Sequence, residues 1–227
     1  MIKKIIYSRQ KIDLFGYQII FINKARRGFS AIHRNSKESI DRAVSRNTYY
    51  GFKRKAPFYK SIIGLTRTTL SGKSVVDMSC GTGVLCEEIS ASYKPSLFYA
   101  YDFSDSCVNL TRNLSIPNLK CFVHNLYDPV DIKFDIIFCV ETIEHLLHPQ
   151  IAIKNILNIL NRDGIAIITV PNGKLDTCEQ HIHFWSIDSW KLFLSDTIDE
   201  SRYTIESGFF HEHQMHLYAK ITRRKQI

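Results

Sequence analysis

Residues 75–85 read VVDMSCGTGVL: an apolar run closing on an acid, then two glycines one residue apart, then apolar residues again. The β-branched start predicts a strand, and Gly81 and Gly83 predict a tight turn that leads into a helix. With no side chains in the way, a ligand can lie against that backbone, close to a helix N-terminus. Nineteen residues after Gly83, Asp102 closes a second strand-like run, SLFYAYD (96–102). An acid at that spacing is placed to accept hydrogen bonds from ribose hydroxyls.

Working outward, LKCFVHN (119–125), FDIIFCVE (134–141) and GIAIITVP (164–171) continue the series of short β-branched or aromatic runs. Helix-sized intervals separate them, as in βαβ units with a parallel sheet covered on both faces. In HPQIAIKNILNILNRDG, Pro149 opens a helix and Ile153, Ile156, Leu157 and Leu160 share one face, with Gly164 in the turn that stops it. SIDSWKLFLSD reads as a further helix with Ser186 as N-cap. YTIESGFF and MHLYAKITR read as an antiparallel pair at the end of the sheet. The expected fold is α/β, a doubly wound and mostly parallel seven-stranded sheet.

Before this core, residues 1–70 lack the alternation and read as a helical basic preface, with 71–227 as the core domain. Residues 55–70 are the predicted helix leading into the first strand. Met1 to Lys60 holds fifteen Lys or Arg against three Asp or Glu, and the whole chain carries a formal charge of +8. That balance suits an anionic partner or serves solubility. In RNTYYGFKRKAPFYK (46–60), aromatics interleave with cations, as a single-stranded RNA surface requires, though an N-terminal helix whose aromatics pack on the sheet or cover the cofactor is the stronger reading. The first 27 residues set basic groups around apolar ones, which suits an anionic membrane surface. The six cysteines show neither CxxC spacing nor a disulfide framework, and no run is long enough to span a bilayer. A cytoplasmic protein is expected, with peripheral membrane contact left open.

With these motifs in place, the chain resembles the class I S-adenosylmethionine-dependent methyltransferases from about Val75 to Phe210. DMSCGTG matches their first motif, YAYDFS their acidic second, and FDIIFCVETIEHLLHP with ITVPNG the fourth and fifth strands and their loops. The resemblance implies a Rossmann-like methyltransferase fold and assigns roles. Asp77 and the backbone from Ser79 through Gly81 to Gly83 would hold the methionine part of S-adenosylmethionine, and Asp102 the ribose. Phe103 would cover one adenine face, with Asn125 and Leu126 bordering the ring. Ser79 and Asn125 depart from the residues usual at their positions. A dehydrogenase shares the glycine and acid logic, but too little chain follows Gly83 for a separate substrate domain.

One more stretch carries chemistry. ETIEHLLH (141–148) sets Glu141, Glu144, His145 and His148 at helical spacing, which would put all four on one face above the C-terminal strand ends. Three roles compete: dipole-favoured acids beside a packed histidine, a base for the methyl acceptor's hydroxyl, or a divalent cation site. His181 or His183, in HIHFWS (181–186), could complete a ligand set of Glu141, Glu144 and His145 for Mg, Mn or Zn. Similar E-x-x-E-H segments occur in ubiquinone-biosynthesis O-methyltransferases and in small-RNA 2′-O-methyltransferases of the Hen type. The resemblance therefore implies O-methylation of a small or lipid-linked acceptor. The alternatives are a metal-dependent RNA 2′-O-methyltransferase and a non-catalytic cofactor-binding module.

Overall fold

The computed structural model describes residues 10–14, 17–21, 34–48, 56–210 and 214–224. An antiparallel ribbon, β1 (Gln10–Leu14) and β2 (Tyr17–Phe21), precedes the helices α1 (Lys37–Ser45) and α2 (Ala56–Gly64). The core follows as β3 (Ser74–Asp77), α3 (Val84–Ser92), β4 (Leu97–Asp102), α4 (Asp105–Asn113), β5 (Leu119–Val123) and β6 (Phe134–Val140). After a 3-10 turn at Ile143–His145 come α5 (Pro149–Asn158), β7 (Leu160–Pro171), α6 (Ile187–Thr197), β8 (Tyr203–Phe210) and β9 (His216–Arg223).

The core strands form one seven-stranded sheet in the order β5-β4-β3-β6-β7-β9-β8. Strands β3 to β7 are parallel to one another, and β9 runs antiparallel to both β7 and β8. The order reverses between β3 and β6. In open α/β sheets a ligand crevice forms beyond the strand ends at such a reversal.

Central strands are covered on both faces, which is why their sequences are apolar without alternation. Val75, Val76, Ile137, Phe138 and Cys139 are all fully buried. On one face Ile153 and Ile156 of α5 pack with Trp190 and Leu194 of α6. On the other, Phe58, Tyr59, Ile62 and Ile63 of α2 pack with Leu85 and Ile89 of α3. Each large side chain buried this way contributes about 1.5–3 kcal/mol. The Trp190 indole N–H finds its partner in the Tyr218 carbonyl at 3.2 Å.

Several sequence expectations need correction. Residues 161–164 do not turn: they run within β7, and α5 stops at Asn158, so Leu160 opens the strand instead of closing the helix face. Gly164 is needed for closeness, because a Cβ there would lie 2.8 Å from Leu160 Cδ1 and 3.0 Å from the Asp135 carbonyl of β6. The preface carries the β1–β2 ribbon in addition to its helices, and the helix expected over 55–70 closes at Gly64. Phe58 and Tyr59 are core side chains, which fits packing rather than base stacking. Tyr49, Tyr50, Phe52, Lys53, Arg54 and Lys55 lie outside the described residues. Ser186 is the N-cap of α6, in a capping box with Ser189.

Candidate active site

The glycine turn is built on positive φ. Gly81 sits at +53° and Gly83 at +83°, the left-handed region that L side chains avoid. Gly83 is also the N-cap of α3, and a Cβ there would come within 2.5 Å of Leu114 Cδ1 and 3.0 Å of Thr111 Oγ1. Below the turn, buried Asp77 accepts from the Ser79 N–H at 3.2 Å and receives the Cys86 thiol at 3.9 Å. The Ser79 and Thr142 hydroxyls are hydrogen-bonded at 2.6 Å, joining the loops after β3 and β6 across the crevice.

Asp102, buried at the end of β4, accepts from the Gly81 N–H and the Ser104 N–H, both at 2.9 Å. Burial pushes its carboxyl up to about 6, and those backbone donors oppose the shift. Phe103, half-buried, follows it directly. At the end of β5, Asn125 is exposed and accepts from the Tyr127 N–H at 3.0 Å. Leu126 is a core side chain whose carbonyl accepts from Asn155 Nδ2 at 2.9 Å.

The ETIEHLLH stretch is not an α-helix, and its four polar residues do not share a face. Glu141 has a φ of +49°, the turn that follows is 3-10, and His148 is the N-cap residue of α5. A 3-10 turn winds three residues per turn, so the i, i+4, i+7 alignment is lost. Glu141 instead meets His216, at the start of β9, with Oε2 to Nδ1 at 3.0 Å. Glu144, fully buried, comes together with His145 and His181, their ligating atoms all within 4.8 Å of one another. Glu144 Oε1 is 3.8 Å from His145 Nε2 and 3.9 Å from His181 Nε2.

The backbone locks this cluster. The Glu144 carbonyl accepts from the Ile182 and His183 N–H groups at 2.9 and 3.1 Å, which brings the loop after β7 to the 3-10 turn. His183 does not join the set: its Nε2 donates to the Leu146 carbonyl at 2.8 Å and its ring stacks on Trp185. Behind His181, Asp176 binds Nδ1. Burial works against the charged His181 ring, but Asp176, Cys178 and Glu144 outweigh it and hold the imidazole at about 10. Burial likewise opposes the Cys178 thiolate, yet His181 draws that thiol below its ordinary value.

Sequence reading misses four residues that bear on the site: Asp176, His216, Asn35 and Asp41. Asp176 has a weak local signal, lying five residues before His181. The other three reach their partners only through the tertiary fold. Asn35 Nδ2 donates to the carbonyls of His145 and Gln180, and Asp41 Oδ1 accepts from the Ser104 hydroxyl and the Ser106 N–H.

With this geometry in hand, comparison with known proteins is decisive: residues 48–197 match the methyltransferase domain family. The chain belongs to that family. As a methyltransferase domain it is 33% identical over 113 residues to the ubiquinone biosynthesis O-methyltransferase of Coxiella burnetii, covering 47% of this chain and 43% of that protein. It thus spans about half the length of the curated relatives it matches. Among solved structures it superposes on a methyltransferase in complex with the Haloferax volcanii Trm112 methyltransferase activator. The TM-score is 0.69 at 14% identity, over 84% of this chain and 98% of that one. It also superposes on DhpI in complex with SAH, at a TM-score of 0.66 and 14% identity, over 87% of this chain and 99% of that one. The fold is that of the S-adenosylmethionine-dependent methyltransferases.

The domain's residues fit that cofactor. The turn at Gly81 and Gly83 brings bare backbone to a helix N-terminus, and the buried Asp102 carboxylate, costly to keep charged, gains from added hydroxyl donors. The donor set of Glu144, His145 and His181, one carboxylate with two imidazoles, also fits a divalent cation of the Mn or Zn kind. Asp176 then takes the place of the outer carboxylate that orients a ligating histidine. No described helix is long and apolar enough to cross a membrane.

Proposed function

We propose that this methyltransferase domain transfers a methyl group from S-adenosylmethionine to an oxygen of a small or lipid-linked acceptor, with Glu144, His145 and His181 serving the acceptor. The observation that carries the reading is the convergence of those three groups on the loops after β6 and β7, the first of which is joined to the loop after β3 by the Thr142–Ser79 hydrogen bond. Similarity to relatives named ubiquinone biosynthesis O-methyltransferase supports oxygen as the acceptor atom.

The cofactor supplies an activated methyl on a sulfonium, so the chain's own task is to orient the acceptor, exclude water and deal with its proton. Asp77 and the 79–83 turn hold the methionine end, and Asp102 accepts from the ribose hydroxyls. His181, held at Nδ1 by Asp176, has its Nε2 beside Glu144, from where it donates a hydrogen bond toward the acceptor. His145 or Glu144 takes the proton as the oxygen reacts. A divalent cation held by the same three residues would supply positive charge that lowers the hydroxyl's pKa.

The test is a transfer assay with methyl-labelled cofactor against cell extract separated into RNA, lipid and small-molecule fractions. Label in the lipid or small-molecule fraction supports the reading. Label confined to RNA replaces it with the 2′-O-methyltransferase alternative, and label in none, with intact cofactor binding, leaves a cofactor-binding module.

A further inference from the structure

Helix α1 touches both halves of the site without lining either. At its N-terminal end, Asn35 Nδ2 donates to the Gln180 carbonyl at 2.7 Å and to the His145 carbonyl at 3.3 Å. The same Gln180 carbonyl lies 3.3 Å from His145 Nδ1. Arg34 adds an ion pair with Glu179 at 2.5 Å. Asn35 therefore sits at the junction of the two segments that bring Glu144 and His145 to His181.

Two helical turns on, Asp41 meets the cofactor side. Its Oδ1 accepts from the Ser104 hydroxyl at 2.5 Å and the Ser106 N–H at 3.1 Å. The Ser104 oxygen in turn accepts from the Cys107 N–H as the N-cap of α4, and the Ser104 N–H donates to Asp102. Lys37 pairs with Asp105 on the same helix start. A continuous hydrogen-bonded path thus runs from the carboxylate of Asp41 to the carboxylate of Asp102. With its hydroxyl donated to Asp41, Ser104 keeps its lone pairs on Cys107, which fixes the cap and the direction of its own N–H.

We propose that Asn35 and Asp41 are positioning residues for methyl transfer, and that α1 couples the two half-sites: ordering of Asp102 by cofactor is passed along α1 to the Glu144, His145 and His181 cluster. The proposal rests on the reading of these two clusters as cofactor and acceptor sites. Asp41 sets Asp102 through Ser104, and Asn35 sets His145 and the 176–183 loop through their carbonyls. The chemistry of each side chain matters more than its bulk. Asp41→Asn keeps the accepting Oδ1, whereas Asn35→Asp replaces a donor with an oxygen facing two carbonyls.

The experiment uses S-adenosylhomocysteine as probe, with titration calorimetry, thermal melting and hydrogen exchange on the full chain. Asp41→Ala is expected to weaken binding about tenfold and Asp41→Asn to restore it. In the wild type, the probe is expected to slow exchange at 79–83 and 102–107 and also, remotely, at 142–146 and 176–184. Asn35→Asp is expected to keep the near protection and lose the remote one. Unchanged affinity in Asp41→Ala, or protection of the wild type confined to the near segments, overturns the proposal. Losses that merely track melting temperature in every variant, Asp41→Asn included, overturn it as well. Failure of the wild type to bind the probe is a separate outcome, which overturns the cofactor assignment itself.

Discussion

The N–H of Gly81 donates to Asp102 Oδ2 at 2.9 Å, so the turn after β3 and the acid that ends β4 form one unit. Replacing Asp102 by Ala removes the proposed ribose acceptor and strands the buried Ser104 N–H and the half-buried Gly81 N–H. Cofactor affinity is expected to fall at least tenfold and stability by about 1–3 kcal/mol for each stranded group. Calorimetry with S-adenosylhomocysteine well below the variant's melting temperature checks the first. Unaltered affinity would remove Asp102 from the cofactor site.

Affinity should also depend on pH with a sign set by that carboxyl. Ribose hydroxyls donate, so binding favours the ionised form, and the buried group protonates near 6. The dissociation constant is expected to be flat above about pH 7 and to rise roughly tenfold per unit below 6. Cofactor-free stability runs the other way. The unfolded carboxyl ionises near 3.8 and the folded one near 6, so stability present below 3.8 is lost as pH rises through 6. At most this amounts to about 3 kcal/mol. A pH-independent dissociation constant between 5 and 8 contradicts the assignment.

Gly83→Ala should be costly for two separable reasons. The φ of +83° costs a non-glycine residue about 1–2 kcal/mol, and the Cβ would overlap Leu114 Cδ1 at 2.5 Å, adding about 1–3 kcal/mol of overpacking. Because Leu114 can be trimmed, adding Leu114→Ala to the variant should recover part of the steric loss and none of the backbone strain. Denaturant melts of the two variants and of Leu114→Ala alone give the comparison.

If Glu144, His145 and His181 bind a divalent cation, Mn2+ or Zn2+ should stabilise the wild type by about 2.7 kcal/mol at one hundred times its dissociation constant. His181→Ala should abolish that gain. Glu141→Gln should keep it, because Glu141 faces His216 rather than the cluster. Melting that ignores both added ion and EDTA rules the cation out, and a gain lost in Glu141→Gln would return Glu141 to the ligand set.

Why some of this was legible in the sequence and some was not follows from the range of the interactions. The glycine turn, the buried parallel strands and the Ser186 cap are local patterns, written within a few neighbouring residues. The helical face expected to join Glu141 to Glu144 and His145 does not form, because the spacing rule assumes an α-helix, and a positive φ at a glutamate leaves no mark on composition. Its partner His216 lies 75 positions away, and Asp41 reaches Ser104 across 63. Gly164 looked like a helix stop because glycine serves close backbone approach and turns alike. Histidines 181 and 183 were equivalent by sequence, and only the Leu146 carbonyl and the Trp185 ring take one of them away from the cluster.

The seating of α1 has a consequence in time. Arg34 and Asn35 bond to residues 145 positions further along the chain, so during synthesis this helix emerges long before its seat exists. Contacts of such separation form late and slowly. The half-site around Gly83 and Asp102, whose parts are close in sequence, can close first. Competence to bind cofactor should therefore arise earlier in the life of each molecule than competence to use it.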